Sequence, residues 1–470
     1  MIVMKFGGSS VDGAAAIERV AAIVRDRLPR RPVVVVSAMA KTTRRLLEAA
    51  AAAAAGDREG ALAAFEEIET YHRRESHGVV PPAGRPALDA ALDPAFNELR
   101  TQLDELLATR ALTPRAADAV AGFGEILAST ILAFAFSHAG PSSHGAIDAA
   151  WVDCRRVIVT DHDFTRARPL YGPTDARLRE AMLPLLRAGR VPVVGGYVGA
   201  TLQGVTTTLG KEGSDFSAAI VGAALGAEEI LIWTDVDGMR TADPRIFPGA
   251  RRVGTLSFAE ALELSCSGAK KPHYGTLGPA SRANVPIRIL DSRHPEAEAT
   301  TGGTIIGRRD PHAPPTIKSI ACRTNAHLIS ARGTGEMGDA VLADVFEVCE
   351  RFRPSLLMLG RREEGGDLAL DREDRLAEIH AALLPAVEHS AELWVTRGRP
   401  VVSLVSEDLA TDPELAARAL EAGRDYEPRL VLEGVAAPAV RLLAEEDQLP
   451  ELIARLHAEL LPGGPGEVVG

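Results

Sequence analysis

Cysteine is scarce in this chain of 470 residues: Cys154, Cys266, Cys322 and Cys349 stand far apart, and none forms a CxxC pair. That spacing indicates neither a zinc cage nor a disulfide framework, so plain buried or half-buried thiols are expected. An excess of positive charge is also lacking. Lys and Arg number 52 against 64 Asp and Glu, a net charge of −12, and the pI is near 5.6. This balance argues against nucleic acid as a partner and for a soluble, cytoplasmic protein. No unbroken apolar run reads as a membrane span of roughly 18 residues. The Ala-rich stretch 49–55 is too short and has acidic neighbours. Residues 1–6 read as a strand and lack the long apolar core of a secretory leader.

What is present is a chain rich enough in apolar residues (46%) to bury large cores, with a length that suggests two to four domains. Residues 206–215 read TTTLGKEGSD: three hydroxyls, a glycine-containing turn with Lys211, and Ser214-Asp215 ahead of an apolar run at 217–225. Ser214 or Asp215 is expected to cap a helix there, because short polar side chains accept from the free N–H groups of a first turn. A glycine turn feeding a helix is a ready anion site, although an ordinary capped loop has the same pattern. The chain opens similarly. Strand 2–6 (IVMKF) carries Lys5, Gly7, Gly8, Ser9 and Ser10 follow, and a helical pattern starts at Asp12. That order suits phosphate, with glycines admitting backbone N–H groups and lysine adding a point charge. It is not a Walker A loop, since the lysine precedes the glycines.

Residues 32–37 (PVVVVS) form a β-branched run suited to a strand buried on both faces. Helical patterns follow at 44–55, 57–77 and 95–110, with a Pro/Gly break at 81–86, so 44–135 reads as a mostly helical insertion. Glu125, among apolar neighbours near a helix start, reads in isolation as a dipole partner or solvated cap. Strands are expected at 145–153, 156–160, 192–197, 229–234 and 286–290, with helices between several of them. This is an α/β fold with a mostly parallel sheet sandwiched by helices. Ligands of such sheets sit at the carboxyl ends of the strands, which selects Lys5, Gly7, Gly8, Ser37, Tyr197, Thr234 and Asp235. Lys270 and Lys271 read as paired surface lysines. Residues 308–316 are charged and Pro-rich, as a linker is. Beyond them a βαββα-like pattern runs twice, with helices at 337–351, 373–387, 412–423 and 447–461. These are two small α+β modules without nucleophile or metal-ligand spacing.

With these residues in view, the chain resembles the aspartokinases of the amino acid kinase family. The matching segments are KFGGSSV (5–11), VVSAMAKTT (35–43), FGE (123–125), VPVVGGYVGAT (191–201), TTTLGKEGSD (206–215), TDVDG…TADPR (234–245) and GAKKPH (268–273). The resemblance spans essentially the whole length. It implies a catalytic domain at 1–307, a linker at 308–316, and two ferredoxin-like ACT units at 317–393 and 394–470. It further implies transfer of the γ-phosphoryl of ATP to the side-chain carboxylate of L-aspartate, with Mg²⁺ held mostly by phosphate oxygens and water. A homodimer through the ACT units would follow. By resemblance, Lys5 contacts the transferred phosphoryl, Asp215 orients Lys5 and Lys270 balances charge from the opposite side. Phe6, Gly7, Gly8, Ser9, Thr234, Asp235, Arg240, Arg245, Lys270 and Lys271 would line the nucleotide, with Gly7, Gly8 and Ser9 supplying N–H groups. Glu125 would take the aspartate ammonium and Lys211 its α-carboxylate, while Ser37, Thr43, Tyr197 and Ser214 complete that pocket.

The chain departs from the family pattern in places. Lys211 stands where arginine is common, and a lysine cannot make the bidentate fork. Glu212 replaces a glycine, and Arg240 a tyrosine. Residues 356–366 (LLMLGRREEGG) replace the Asp- and Ser/Thr-rich pattern of lysine-sensitive relatives, so weak or absent inhibition by lysine is expected. Two further readings fit the sequence: a kinase of the same fold acting on another carboxylate, and a non-catalytic ACT-containing regulatory module.

Overall fold

The structure is a computed structural model. It describes all residues except 139–144, 270–271, 273, 299–301, 334–346, 349–350, 353–355, 363–364, 372–374, 388–390, 427–428, 432–436 and 462–470. The chain forms two compact units, Met1–Met239 with Pro272–Arg308, and Arg240–Lys271 with Arg309–Gly470. The catalytic stretch expected as one piece is thus divided, residues 240–271 being counted with the C-terminal unit.

The first unit begins with β1 (Ile2–Phe6), α1 (Ala14–Arg25) and β2 (Pro32–Val36). Five helices follow: α2 (Thr42–Ala55), α3 (Arg58–Val79), α4 (Arg85–Thr109), α5 (Pro114–Ala121) and α6 (Phe123–Ser137). Then come β3 (Ala149–Val152), α7 (Cys154–Val157), β4 (Val159–Thr160), α8 (Tyr171–Arg187), β5 (Val191–Gly195), β6 (Val198–Thr201), β7 (Thr206–Thr208), α9 (Gly213–Leu225) and β8 (Glu229–Thr234). The unit closes with a helix at Tyr274–Ala283 and strands at Ile287–Asp291 and Thr304–Gly307.

The central sheet runs β3-β5-β2-β1-β8, then the strands at Ile287–Asp291 and Thr304–Gly307. Every pair is parallel except the last. Lys5 lies level with Val35 on β2 and Ile232 on β8. The β-branched runs form these strands because both faces are covered; β1, β2, β5 and β8 are buried throughout. Each enclosed Val or Ile contributes about 1.5–3 kcal/mol relative to exposure. Parallel order brings the carboxyl ends of β1, β2, β5 and β8 to one edge.

Three local expectations change. The helix expected from 95 starts at Arg85, because Pro86 occupies the first turn, where a missing N–H is harmless, and Pro94 is accommodated inside. The strand expected over 156–160 is reduced to Val159–Thr160, because Asp153 accepts from Arg155 N–H and nucleates the short α7. No membrane-length segment was anticipated, yet Pro114–Ser137 has the length and apolarity of one. Of its most apolar window, 83% is buried inside the molecule.

In the second unit, a capping box at Ser257 and Glu260 starts a helix at Phe258–Cys266. One antiparallel sheet follows. Its two longest strands, Ser319–Gly333 and Ala391–Val405, pair along their length. The tandem modules therefore share a sheet, while their cores stay separate. Ile329, Leu368, Leu370, Ile379 and Leu383 form one; Ile320, Val402, Val440, Leu442, Leu452 and Leu456 belong to another. The two longest strands run well beyond the apolar stretches at 317–322 and 400–406. Register shifts between Arg323 and Leu328 absorb the polar residues there. The helix expected at 337–351 lies mostly outside the described residues.

Candidate active site

Lys5 is the fourth residue of β1 and only 5% exposed. Its ammonium forms an ion pair with the Asp215 carboxylate, itself 1% exposed. Asp215 is therefore not the cap the sequence pattern pointed to, and neither is Ser214. Helix α9 starts earlier, at Gly213, after Glu212 in the left-handed region (φ 57°), with no side-chain cap. The physical reason is the buried ammonium. A capping carboxylate turns back on its own helix, whereas one turn position further in it reaches Lys5. Close approach is needed for this: a Cβ on Gly196 would lie 2.7 Å from the Ser214 Cα.

The glycine turn follows β1. Gly7 N–H donates to Trp233 O at 3.1 Å, so the expectation that Gly7 offers its N–H to a ligand does not hold. Gly8 and Ser9 open the short 3₁₀ turn Gly8–Ser10, where N–H groups lack an intrahelical partner. Gly8 must be glycine, since a Cβ there would meet Ala38 O at 2.8 Å. Ser9 is exposed. Phe6 is buried and stacked on Trp233, with ring centroids 6.2 Å apart. Ser10 fastens the turn through its hydroxyl contact with Ser292, at 2.7 Å.

Lys5, Gly8 and Asp215 line a cavity of about 550 Å³. All six residues expected around an amino-acid substrate line it too: Ser37, Thr43, Glu125, Tyr197, Lys211 and Ser214. Glu125 is no solvated cap. It sits in the first turn of α6, 3% exposed. One carboxylate oxygen accepts from Ala38 N–H at 3.1 Å, and the other is buried with no hydrogen-bond partner. Burial pushes its pKa up to about 8, against the pull of the Ala38 N–H and Lys5. Burial also pushes Tyr197 up to about 12. Lys211 is exposed at the rim.

Backbone strain concentrates at the same place. Among the described residues, the non-glycine positions at positive φ include Ala40 (49°), Thr165 (70°), Tyr197 (61°) and Glu212 (57°), all lining this cavity. Such residues persist only where surrounding structure holds them, which is characteristic of functional sites. Ala40 and Thr165 carried no signal in the sequence, because neither residue type announces a left-handed conformation.

The expected nucleotide residues are less gathered. Thr234 is buried and its hydroxyl donates to Asp235 Oδ1 at 3.1 Å, while Asp235 is exposed. Arg240 and Arg245 belong to the second unit. There Arg245 is exposed and its Nε donates to Asp243 at 3.0 Å. Lys270 and Lys271 lie outside the described residues. Among the described residues, no group of three or more His, Cys, Asp or Glu is placed to hold a metal ion.

Comparison with known proteins finds one family, and relatives both in sequence and in solved structure. The model of the amino acid kinase family matches residues 1–291. Lysine-sensitive aspartokinase 3 of Escherichia coli is 28% identical over 474 residues, covering 98% of this chain and 99% of that one. Aspartokinase 3, chloroplastic, of Arabidopsis thaliana is 29% identical, covering 97% of this chain and 81% of that one. Among solved structures, E. coli aspartokinase III in complex with aspartate and ADP (R-state) superposes with a TM-score of 0.79 at 26% identity, covering 98% of this chain and 100% of that one. The same enzyme in complex with lysine and aspartate (T-state) gives 0.77, with the same identity and coverage.

Proposed function

This chain belongs to the amino acid kinase family, and from that premise we propose that it transfers the γ-phosphoryl of ATP to the side-chain carboxylate of L-aspartate, forming ADP and 4-phospho-L-aspartate. One observation carries the choice of acceptor. A buried carboxylate, Glu125, leaves an oxygen unpaired in a cavity also lined by Lys5 and Lys211. An ammonium group satisfies that oxygen, and the lysines suit the two carboxylates of an acidic amino acid.

The chemistry needs little else. A carboxylate oxygen attacks the γ-phosphorus while the bond to the β-phosphate oxygen breaks, and ADP leaves with that electron pair. The nucleophile is already an anion, so no general base is required, and catalysis rests on positioning and neutralising charge. Lys5, oriented by Asp215, supplies positive charge at the transferred group. Glu125 binds the ammonium and Lys211 the α-carboxylate, with Ser37, Thr43, Tyr197 and Ser214 around them. Gly8 and Ser9 offer N–H groups to phosphate oxygens. Phe6, Thr234 and Asp235 complete the nucleotide side. Magnesium, when bound with ATP, neutralises phosphate charge. Gly8 and Ser9, whose N–H groups open the 3₁₀ turn, would hold the phosphate oxygens, and the ion would be held by those oxygens and water.

The C-terminal unit is a pair of ACT modules, at 317–393 and 394–470, with a regulatory role. A homodimer through this unit, a cytoplasmic location, and entry of the product into lysine, threonine and methionine synthesis complete the proposal. The test is an acceptor panel read by ADP release, comparing L-aspartate with D-aspartate, L-glutamate, succinate and N-acetyl-L-aspartate. Turnover is expected with L-aspartate and not with succinate or N-acetyl-L-aspartate, which lack a free ammonium. Equal turnover with these two would remove the assignment of Glu125.

A further inference from the structure

Asp118 lies on α5, is 1% exposed, and belongs to neither the lining of the cavity nor any motif singled out in the sequence. Its carboxylate accepts three hydrogen bonds. Oδ2 takes Thr165 N–H at 2.8 Å and Thr208 N–H at 3.0 Å, and Oδ1 takes the Thr208 hydroxyl at 2.6 Å. One oxygen thus clamps two separate backbone segments. Thr165 is the β-branched residue held at φ 70° in the cavity wall, a conformation that needs outside support. Thr208 ends β7, two residues before the Gly210 turn. The two segments enclose that turn. Ala167 N–H donates to Thr208 O at 2.8 Å, and a Cβ on Gly210 would already meet Thr165 O at 3.3 Å. The turn carries Lys211 and Glu212 into the cavity rim.

We propose that Asp118 is a positioning residue for the aspartate end of the site: it clamps the Thr165 loop to β7, and so fixes the turn that presents Lys211 to the substrate's α-carboxylate. The inference rests on the aspartate kinase reading. Buried carboxylates that merely fill a core are costly. This one is held by two backbone N–H groups from segments on either side of a substrate-facing turn. It acts on the amino-acid side, and no contact of Asp118 reaches Lys5 or the glycine turn.

The test separates aspartate KM from ATP KM in the full-length protein. Asp118→Ala leaves two N–H groups and a hydroxyl without their acceptor, and is expected to raise aspartate KM at least about tenfold. ATP KM should stay within about twofold, because the glycine turn is untouched. Asp118→Asn keeps an oxygen for both N–H groups, and the Thr208 hydroxyl can turn to accept from the amide. It should restore aspartate KM to within about threefold of wild type. A role confined to general stability would lower Tm without this split and without this rescue. An aspartate KM unchanged in folded Asp118→Ala, or both KM values rising by the same factor, overturns the proposal. Should Asp118→Ala not fold, Thr208→Val decides against a Tyr197→Phe control: the first removes the hydroxyl's contacts with Asp118 Oδ1 and with Tyr197, the second the Tyr197 contact alone, and aspartate KM should rise about threefold above the control with ATP KM constant. No rise there overturns the proposal as well. A wild-type chain inactive on aspartate would sink the functional reading and this role together, whereas an active wild type with an indifferent Asp118→Ala would sink the role alone.

Discussion

One buried charge sets the first unit apart from the second. In the first, Glu125 is 3% exposed and keeps one buried oxygen without a hydrogen-bond partner, beside a cavity that it lines together with Lys5. In the second, buried carboxylates are met by groups of the same unit. Glu263 and Arg441, 0% and 5% exposed, form an ion pair. Asp408 pairs with Arg309 and accepts from Thr316 N–H. Glu260 accepts from the N–H groups of Ser257 and Glu407. The contrast separates chemistry from architecture. A desolvated charge with an unused valence is completed by a ligand, whereas one met by a partner residue holds the fold.

Breaking a closed pair should give the largest effect. Arg441→Met removes the counter-charge of buried Glu263 and is expected to cost about 3–5 kcal/mol of stability, read by urea unfolding. Adding Glu263→Leu should recover most of it. A single variant as stable as wild type would mean that the pair holds nothing together.

Next comes the cation at the cavity. Lys5→Ala is expected to lower kcat by about 10²–10³, since it removes charge that acts on the transferring group. Aspartate KM should change far less. Steady-state kinetics retaining more than about a tenth of wild-type kcat would take Lys5 out of the chemistry.

Glu125→Gln sharpens the contrast from the other side. Losing a charged hydrogen bond worth about 2 kcal/mol should raise aspartate KM roughly thirtyfold. Stability should not fall, because no protein partner is stranded. The pH dependence has a definite sign. Folding raises the Glu125 pKa from 4.5 to about 8, so the native state holds a proton that the unfolded chain has lost. Its contribution to ligand-free stability is complete below about pH 4.5 and is lost as pH rises toward about 8. Glu125→Gln should remove that slope in thermal unfolding. Aspartate binding needs the ionised carboxylate, so wild-type aspartate KM should fall as pH rises through about 8, and the variant's should not.

The smallest effect concerns the C-terminal unit. From residues 356–366, millimolar lysine is expected to change the rate by less than about twofold. Submillimolar inhibition in an activity titration would show that this unit, too, completes a site with a ligand.

Much of the site was legible in the chain because it depends on residue type at short spacing. Strand 2–6 with its lysine and glycines, the β-branched run at 32–37, and the GKEGSD turn mark the ends of parallel strands, and parallel order gathers those ends. Glu125 was legible only through resemblance, since its isolated pattern equally describes a solvated cap. Gly7 was misjudged because its N–H is claimed by Trp233, a residue 226 positions away in sequence.

The sequence alone determined most of the strands and helices, and placed an ammonium, glycine turns and hydroxyls where strands end. Local patterns suffice for that, because propensity and periodicity act over a few residues. For Asp215 the local pattern pointed to a helix cap and only the resemblance pointed to Lys5; tertiary structure alone decided that Asp118 joins two distant segments and that one buried Glu125 oxygen has no protein partner. Each of these depends on burial, and burial is set by chain segments that meet only once the molecule has folded.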